Sequence, residues 1–351
     1  MIKEFRKEFI MMTTGTKTFK IIICILLGLT ILWSGFISYA FFYFASADAD
    51  RRAGERYGLY VGGVDVTAAN AGDILGDGTA SYDAKTNKLT LKNANIVYGY
   101  TVIYSEIDLL VELVGENKFV CKDNASITAI YASNGILRKD LAFDGEGTLS
   151  ISFENVSESG TGIVADDLWI GSDITVTTPD CSGISNGLVC TSSLTLRNKA
   201  NVTVNNGAAR SSTAVNVRGN AILETGSALN VTVAPGATDA CNGIGIDGSL
   251  TVARNAAINV SIDDETAAIS ECLSVSGFMS VGNNATVNAS AKKVFAIEGN
   301  AAIYAGEGAV LTATTAGEGA DIFCYGVFFN DGAILNAELE AIGGISGKIE
   351  N

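Results

Sequence analysis

The sequence predicts an all-β protein. Its body reads as a right-handed parallel β-helix, a solenoid of three short strands per coil. A β cap stands at its amino end, and one transmembrane or signal helix precedes both. Three observations carry this reading. The composition is rich in Gly (39) and poor in Pro (2), with only 17% charged residues, which suits strands joined by tight turns. From Gly162 onward the chain falls into rows such as "GLVCTSSLTLRNKANVTVNN" and "GIGIDGSLTVARNAAINVSID", each holding three alternating apolar segments divided by Gly, Asn, Asp or Ser. The word "NVTV" at Asn201 returns at Asn230, and as "NVSI" at Asn259, at intervals of 29 residues.

Each element follows in chain order. Residues 1–20 form a basic, cytoplasmic segment. Residues 21–44 carry no charge, and as a helix they would reach about 36 Å at roughly 1.5 Å per residue, enough to span a bilayer. Five basic residues precede this run, which predicts an inside amino end and an exported remainder. "ASA" at Ala45–Ala47 offers a cleavage pattern, so retention as a single-pass anchor competes with secretion after Ala47. Residues 45–57 read as a linker. Residues 58–100 read as a capping module: "LYVGGVDVT" is a strand pair around a Gly-Gly turn, and "TASYDAKTNKLTLKNANI" is a hairpin turning at "DAKTNK".

Residues 101–351 read as the solenoid itself. Alternation over four to six residues marks strands, and one coil cannot bury its inner face alone, so coils stack. Taking Leu168, Leu194, Ile222, Leu250, Met279, Ile303 and Phe328 as the first core residue of each middle strand gives steps of 24 to 29 residues. At roughly 4.8 Å per coil, nine coils would make a rod about 40 Å long. "NVTV" is then one rung of the third strand, a reading preferred to a glycosylation acceptor. An antiparallel sandwich is the competing fold.

Charge and composition exclude several functions. The chain has no His, which removes Ser-His-Asp triads and His-liganded zinc. Net charge is −15, and the part beyond residue 47 holds 18 basic and 36 acidic residues, so nucleic acid is repelled. Six cysteines lie beyond the apolar run, an even number that permits three disulfides, although small buried thiols are the preferred reading.

A candidate site follows from the first strands. With Ile163/Ala165, Leu188/Cys190, Val215/Val217, Ile244/Ile246, Leu273/Val275 and Phe295/Ile297 pointing inward, Asp166, Thr191, Arg218, Asp247, Ser276 and Glu298 form one outward column. Tyr104 and Tyr131 join the same face from earlier coils. An extended polysaccharide, or a host or cell-surface glycan, is the expected partner, with tyrosines stacking on its rings and Arg218 near an acidic sugar. The competing reading makes Arg218 and Asp247 a plain ion pair. A catalytic role for Asp247 and Glu298 as a glycosidase pair is disfavoured, since no acidic cluster surrounds them. No cofactor is expected. The acidic turns at Asp166, Asp167 and Asp173, at Asp263, Asp264 and Glu265, and at Asp144 and Glu146 were weighed as Ca²⁺ ligands, but they match no Ca²⁺ motif and read as solvated turns.

The stretch "LYVGGVDVTAANAGDILGDGTASYDAKTNKLTLKNANI" at 59–96, with "LVELVGEN" at 110–117 and "GEGTLSIS" at 145–152, resembles the leading part of a group of exported β-helix repeat proteins from Gram-positive (Firmicutes-type) anaerobes. The resemblance is specific over 59–152 and loose beyond. It implies a surface or secreted location and a role described at times as carbohydrate binding. It supplies no catalytic residues. Together these readings predict a non-catalytic adhesin or glycan-binding module. A polysaccharide lyase or hydrolase is the alternative, and a purely structural surface protein the third reading.

Overall fold

A computed structural model describes residues 54–346, apart from 198, 265–268, 293–296, 317–320, 331, 338 and 342–344. The apolar run at 21–44 and the "ASA" word fall outside the described residues. Among the described residues there is no helix, and therefore none long and apolar enough to cross a membrane.

The fold is all-β and its body is a parallel β-solenoid. First strands stack on first strands: Ser126–Ala132, Ser159–Ala165, Ile184–Cys190, Ser211–Val217, Ala240–Ile246 and Ile269–Val275 pair in parallel, each with the next. Third strands form their own ten-stranded sheet, beginning with Asn95–Tyr98. Second strands are short, as in Leu168–Ile170 and Leu194–Leu196. First and second strands share one sheet because Ile297–Ala305 runs through both positions, pairing with Leu273–Val275 and with Met279–Val281. The competing antiparallel sandwich is therefore not formed.

Alternation sets which side chains enter. In Asn230–Val233 the apolar Val231 and Val233 are buried, while Asn230 and Thr232 face out. Every inner column repeats this, and stacked Val, Ile and Leu make one continuous core.

The first strand bends midway, and small residues mark the bend. Gly162, Gly187, Ala214, Gly243 and Cys272 precede the inward Ile163, Leu188, Val215, Ile244 and Leu273, so two consecutive residues are buried there. A Cβ at Gly162 would meet Val176 Cγ1 at 2.5 Å, and one at Gly243 would meet Val260 Cγ1 at 2.4 Å. In the coils of Gly162 and Gly243 the third strand crosses behind the bend too closely for a side chain, whereas Ala214 and Cys272 carry theirs in the same seat.

Two of the seven expected middle-strand markers are displaced by one residue. Ala221 rather than Ile222 pairs with Leu194 and Leu250, and Val327 rather than Phe328 pairs with Ile303. Ile222 and Phe328 are exposed instead. Where two apolar residues adjoin, hydrophobicity favours the larger as the marker, whereas the pairing register seats Ala221 and Val327 inward.

Before the first coil, Arg56–Val61 pairs antiparallel with Val64–Thr67 and with Ile103–Ser105. The turn between the first two uses Gly62 and Gly63, both with positive φ (58° and 82°). Ala80–Asp83 pairs antiparallel with Lys88–Lys92, which in turn pairs in parallel with Leu109–Val114. Parallel stacking thus starts at residue 88.

All six described cysteines are free, and five are buried. Burial pushes the thiols of Cys121, Cys241 and Cys272 up to about 12 and that of Cys324 to about 11. They behave as small apolar residues.

Candidate functional site: the third-strand face

The expected first-strand site does not assemble as one ladder. Tyr104 and Tyr131 do share an outward column and stack, with ring centroids 6.0 Å apart and planes at 11°. Tyr60 adds a tilted ring beside Tyr104, and the Arg138 guanidinium sits 4.6 Å over Tyr131. Tyr131 is thus flanked within the protein by the Tyr104 ring and the Arg138 guanidinium. The column continues through Val164, Val189, Asn216, Gly245, Ser274 and Glu298.

Glu298 is thus one column away from Asp166, Arg218 and Asp247. The expectation seated Phe295 and Ile297 inward together; instead Ile297 takes the seat above Leu273, and Glu298 pairs with Ser274 rather than Ser276. Phe295 lies outside the described residues. Asp166, Arg218 and Asp247 stand just past the strand ends, stacked through backbone bonds from Arg218 N to Cys190 O (3.0 Å) and from Asp247 N to Val217 O (2.9 Å). Asp166 accepts a bond from Thr191 Oγ1 at 2.8 Å. No ion pair among the described residues joins the exposed Arg218 and Asp247.

Sequence reading overlooked Glu271 on this face. It is partly buried and hydrogen-bonded to Glu298. Burial first, and the Glu298 carboxylate second, raise its pKa above the ordinary 4.5. The folded state therefore holds a proton that the unfolded state releases, so this group's contribution to stability is present below 4.5 and is lost as pH rises through the raised value. Glu271→Gln is expected to remove that slope. Its thermal midpoint should rise relative to the native protein as pH increases, and parallel curves across the range would refute the assignment.

The acidic turns act as locks between coils. Asp167 Oδ1 accepts from Ser193 N and Oγ (2.9 and 2.7 Å), and Asp173 Oδ1 accepts from Asn201 N (2.9 Å). Asp264 is not solvated at all: fully buried, its Oδ2 takes the N–H groups of Gly236 (3.0 Å) and Ala237 (2.7 Å). Among the described residues no three His, Cys, Asp or Glu side chains converge as a metal site.

The third-strand face presents a more continuous surface. Two outward ranks run in register over six coils as Thr175/Thr177, Thr203/Asn205, Asn230/Thr232, Asn259/Ser261, Asn288/Ser290 and Thr312/Thr314. All twelve are Ser, Thr or Asn. No charge interrupts them, although the part of the chain beyond residue 47 carries 54 charged residues. A shallow groove lies between the ranks from Asn230 to Thr314, its floor formed by the strand backbone at Val231, Val260 and Ala289, whose side chains turn into the core.

The Asn rank is ordered. Asn230 Nδ2 donates to Asn201 Oδ1 (2.9 Å), Asn259 Nδ2 to Asn230 Oδ1 (2.8 Å), and Asn288 Nδ2 to Asn259 Oδ1 (2.8 Å). Each amide has two N–H donors and two acceptor lone pairs. At Asn230 and Asn259 the ladder uses one of each, so both keep a donor and an acceptor for another partner. Along the other rank Thr232 Oγ1 donates to Asn205 Oδ1 on the preceding coil (2.8 Å).

"NVTV" is a rung of this face, as expected, but one of its two intervals misleads. Asn230 pairs with Asn259, whereas Asn201 pairs with Ala228 and Thr203 pairs with Asn230. The first word is shifted by one pleat, two residues, which keeps the same side chains outward.

Together the fold and this face define a β-solenoid with a neutral, amide- and hydroxyl-lined groove. Comparison with protein-family models, with curated proteins and with solved structures finds no match.

Proposed function

We propose that this protein is a non-catalytic, exported glycan-binding module or adhesin that holds extended polysaccharide along its third-strand face. The single observation that carries the reading is the neutral groove between two in-register ranks of Ser, Thr and Asn. A neutral polysaccharide offers hydroxyls at a regular pitch. The groove offers a donor and an acceptor at its Asn rungs, at the coil repeat of about 4.8 Å. The acidic body disfavours nucleic acid as a partner.

The solenoid is taken to wind right-handed, as β connections generally do. Residues 58–100 are taken to close its amino end, covering strand edges that would otherwise invite pairing. Residues 21–44 would hold it in the membrane with the body outside, or be lost by cleavage after Ala47. The likeness of residues 59–152 to exported Gram-positive repeat proteins agrees with that location. No cofactor enters this reading, and retention should survive a Ca²⁺ chelator.

The Glu271–Glu298 pair gives the lyase or hydrolase alternative little support. Glycoside hydrolysis needs carboxyls about 5–9.5 Å apart, with water or sugar between them, whereas these two bond directly.

The test is retention of the full chain on a panel of neutral and acidic polysaccharides. Native protein should be retained by at least one neutral polymer without release of new ends. Ser261→Tyr, which places a ring in the groove, should weaken retention about tenfold, near 1.4 kcal/mol, with an unchanged thermal midpoint. New reducing ends or unsaturated products would instead establish an enzyme. Retention by no polymer would leave the structural role.

A further inference from the structure

A second site lies at the corner where third strands turn into the next first strands. There Asn95–Tyr98 and Glu116–Lys122, on successive coils, end in turns that enclose a depression of about 300 Å³. Its lining includes Tyr98, Tyr100, Lys122, Asp123 and Asn124.

Most of these side chains are held in place before any ligand arrives. Tyr98 packs against the core, with its hydroxyl over Gly63, where an added Cβ would lie 2.4 Å from that oxygen. The Gly-Gly turn thus serves this corner as well as its own hairpin. Asn124 Nδ2 donates to Gly99 O at 3.0 Å, which orients the amide and leaves Oδ1 as an acceptor. Asp123 sits in the left-handed region (φ 59°), and its Oδ1 accepts from Asn155 Nδ2 at 2.9 Å. Its Oδ2 lies 3.7 Å from Lys122 Nζ. Tyr100 is the free element: it is 66% exposed, and its ring stands 5.8 Å from Tyr98 at 56°.

We propose that this corner binds a single neutral hexose residue, a chain end or side branch, with Tyr100 against the C–H face of the ring. A pyranose has one apolar face and a rim of hydroxyls. The apolar face needs an exposed aromatic ring, which Tyr100 supplies. The rim needs acceptors and a donor in one cluster, which Asp123, Asn124 and Lys122 supply. The Lys122 charge is matched by Asp123, so no unpaired positive charge awaits a uronic or sulfated sugar. The volume lies at the lower end of small-molecule pockets, about 300–1,000 Å³, which suits one ring rather than a run of chain.

The proposal rests on the glycan-binding reading but uses different residues on a different face, so the two fail separately. The probes are methyl glucoside, methyl galactoside and methyl mannoside, each mixed with the full-length chain and followed by saturation-transfer NMR. At least one should show transfer to its ring protons with the native protein and equally with Ser261→Tyr. Tyr100→Ala should weaken that binding about tenfold while keeping the native thermal midpoint, since the side chain is exposed. Lys122→Met provides a second variant that spares the ring, and it should weaken binding with the ring-proton contacts retained. Equal transfer with Tyr100→Ala, or none from all three sugars, would overturn the corner site even if polysaccharide retention holds. Transfer that persists while no polymer is retained would overturn the groove and leave the corner standing.

Discussion

Gly187→Ala is expected to destabilise the solenoid by about 3 kcal/mol, while Gly245→Ala is expected to stabilise it by about 0.5 kcal/mol. The two glycines lie on first strands two coils apart. At Gly187 the added methyl would stand 2.2 Å from Val204 Cγ1 and 2.4 Å from Ala214 O. Val204 is fully buried in the third strand, and Ala214 belongs to the adjoining first strand, which pairs in register on both sides of that residue. Neither can retreat without opening a rung or displacing the core. At Gly245 nothing lies within 4 Å of the new carbon, so only the entropy of the unfolded chain changes. Urea unfolding of the two variants should shift the midpoints in opposite directions with little change in slope. Midpoints that move together would mean the bend is not the tight element described.

That bend shows what the sequence could and could not disclose. The small residues were visible as the opening letters of the rows "GIVA", "GLVC", "AVNV", "GIGI" and "CLSV", but alternation alone assigns them no role. A strand pattern of period two cannot encode a bend that buries two consecutive residues; that depends on where the third strand passes. Alternation likewise could not fix the register at Ile222 and Phe328, since each adjoins a second apolar residue, Ala221 or Val327, that takes the inner seat instead. Glu298 was misplaced for a related reason: a short coil of 24 residues separates Leu273 from Ile297, and counting back from the next apolar pair missed it.

The solenoid itself was legible because its cause is local. Each strand must alternate, each turn must be polar, and stacking makes both repeat. Periodicity puts Tyr104 and Tyr131 on one face and the register puts them in one column, yet the Arg138 guanidinium over Tyr131 comes from a hairpin that no periodicity announces. The groove was half legible. "NVTV" was recognised as a rung, but the neutrality of the whole face appears only once six coils are aligned in register. The corner at Tyr100 was not legible, since it joins residues 97–100 to 122–124 through the stacking of two turns.

Phe119→Ala is expected to cost about 4 kcal/mol, near the middle of the range for deleting a buried aromatic ring. Phe119 is fully buried in a third strand, stacked between Ile96 and Ile151 on the flanking rungs. Most cores respond to such a loss by collapsing inward. Here the flanking rungs are held at their spacing by ladder hydrogen bonds, so collapse along the stack would break backbone pairing. Part of the cavity therefore remains, and the full transfer and void costs apply. Phe119→Leu keeps most of the volume and should cost less than about 1.5 kcal/mol. The strand that carries Phe119 ends at Lys122, so hydrogen exchange should show faster opening of residues 116–124 in Phe119→Ala than in the distant rungs around Asn259. Uniform acceleration along all coils would mean the solenoid opens only as one unit. Nearest-neighbour stacking predicts instead that a loss at one rung weakens that end first, and with it the corner formed by Lys122, Asp123 and Asn124.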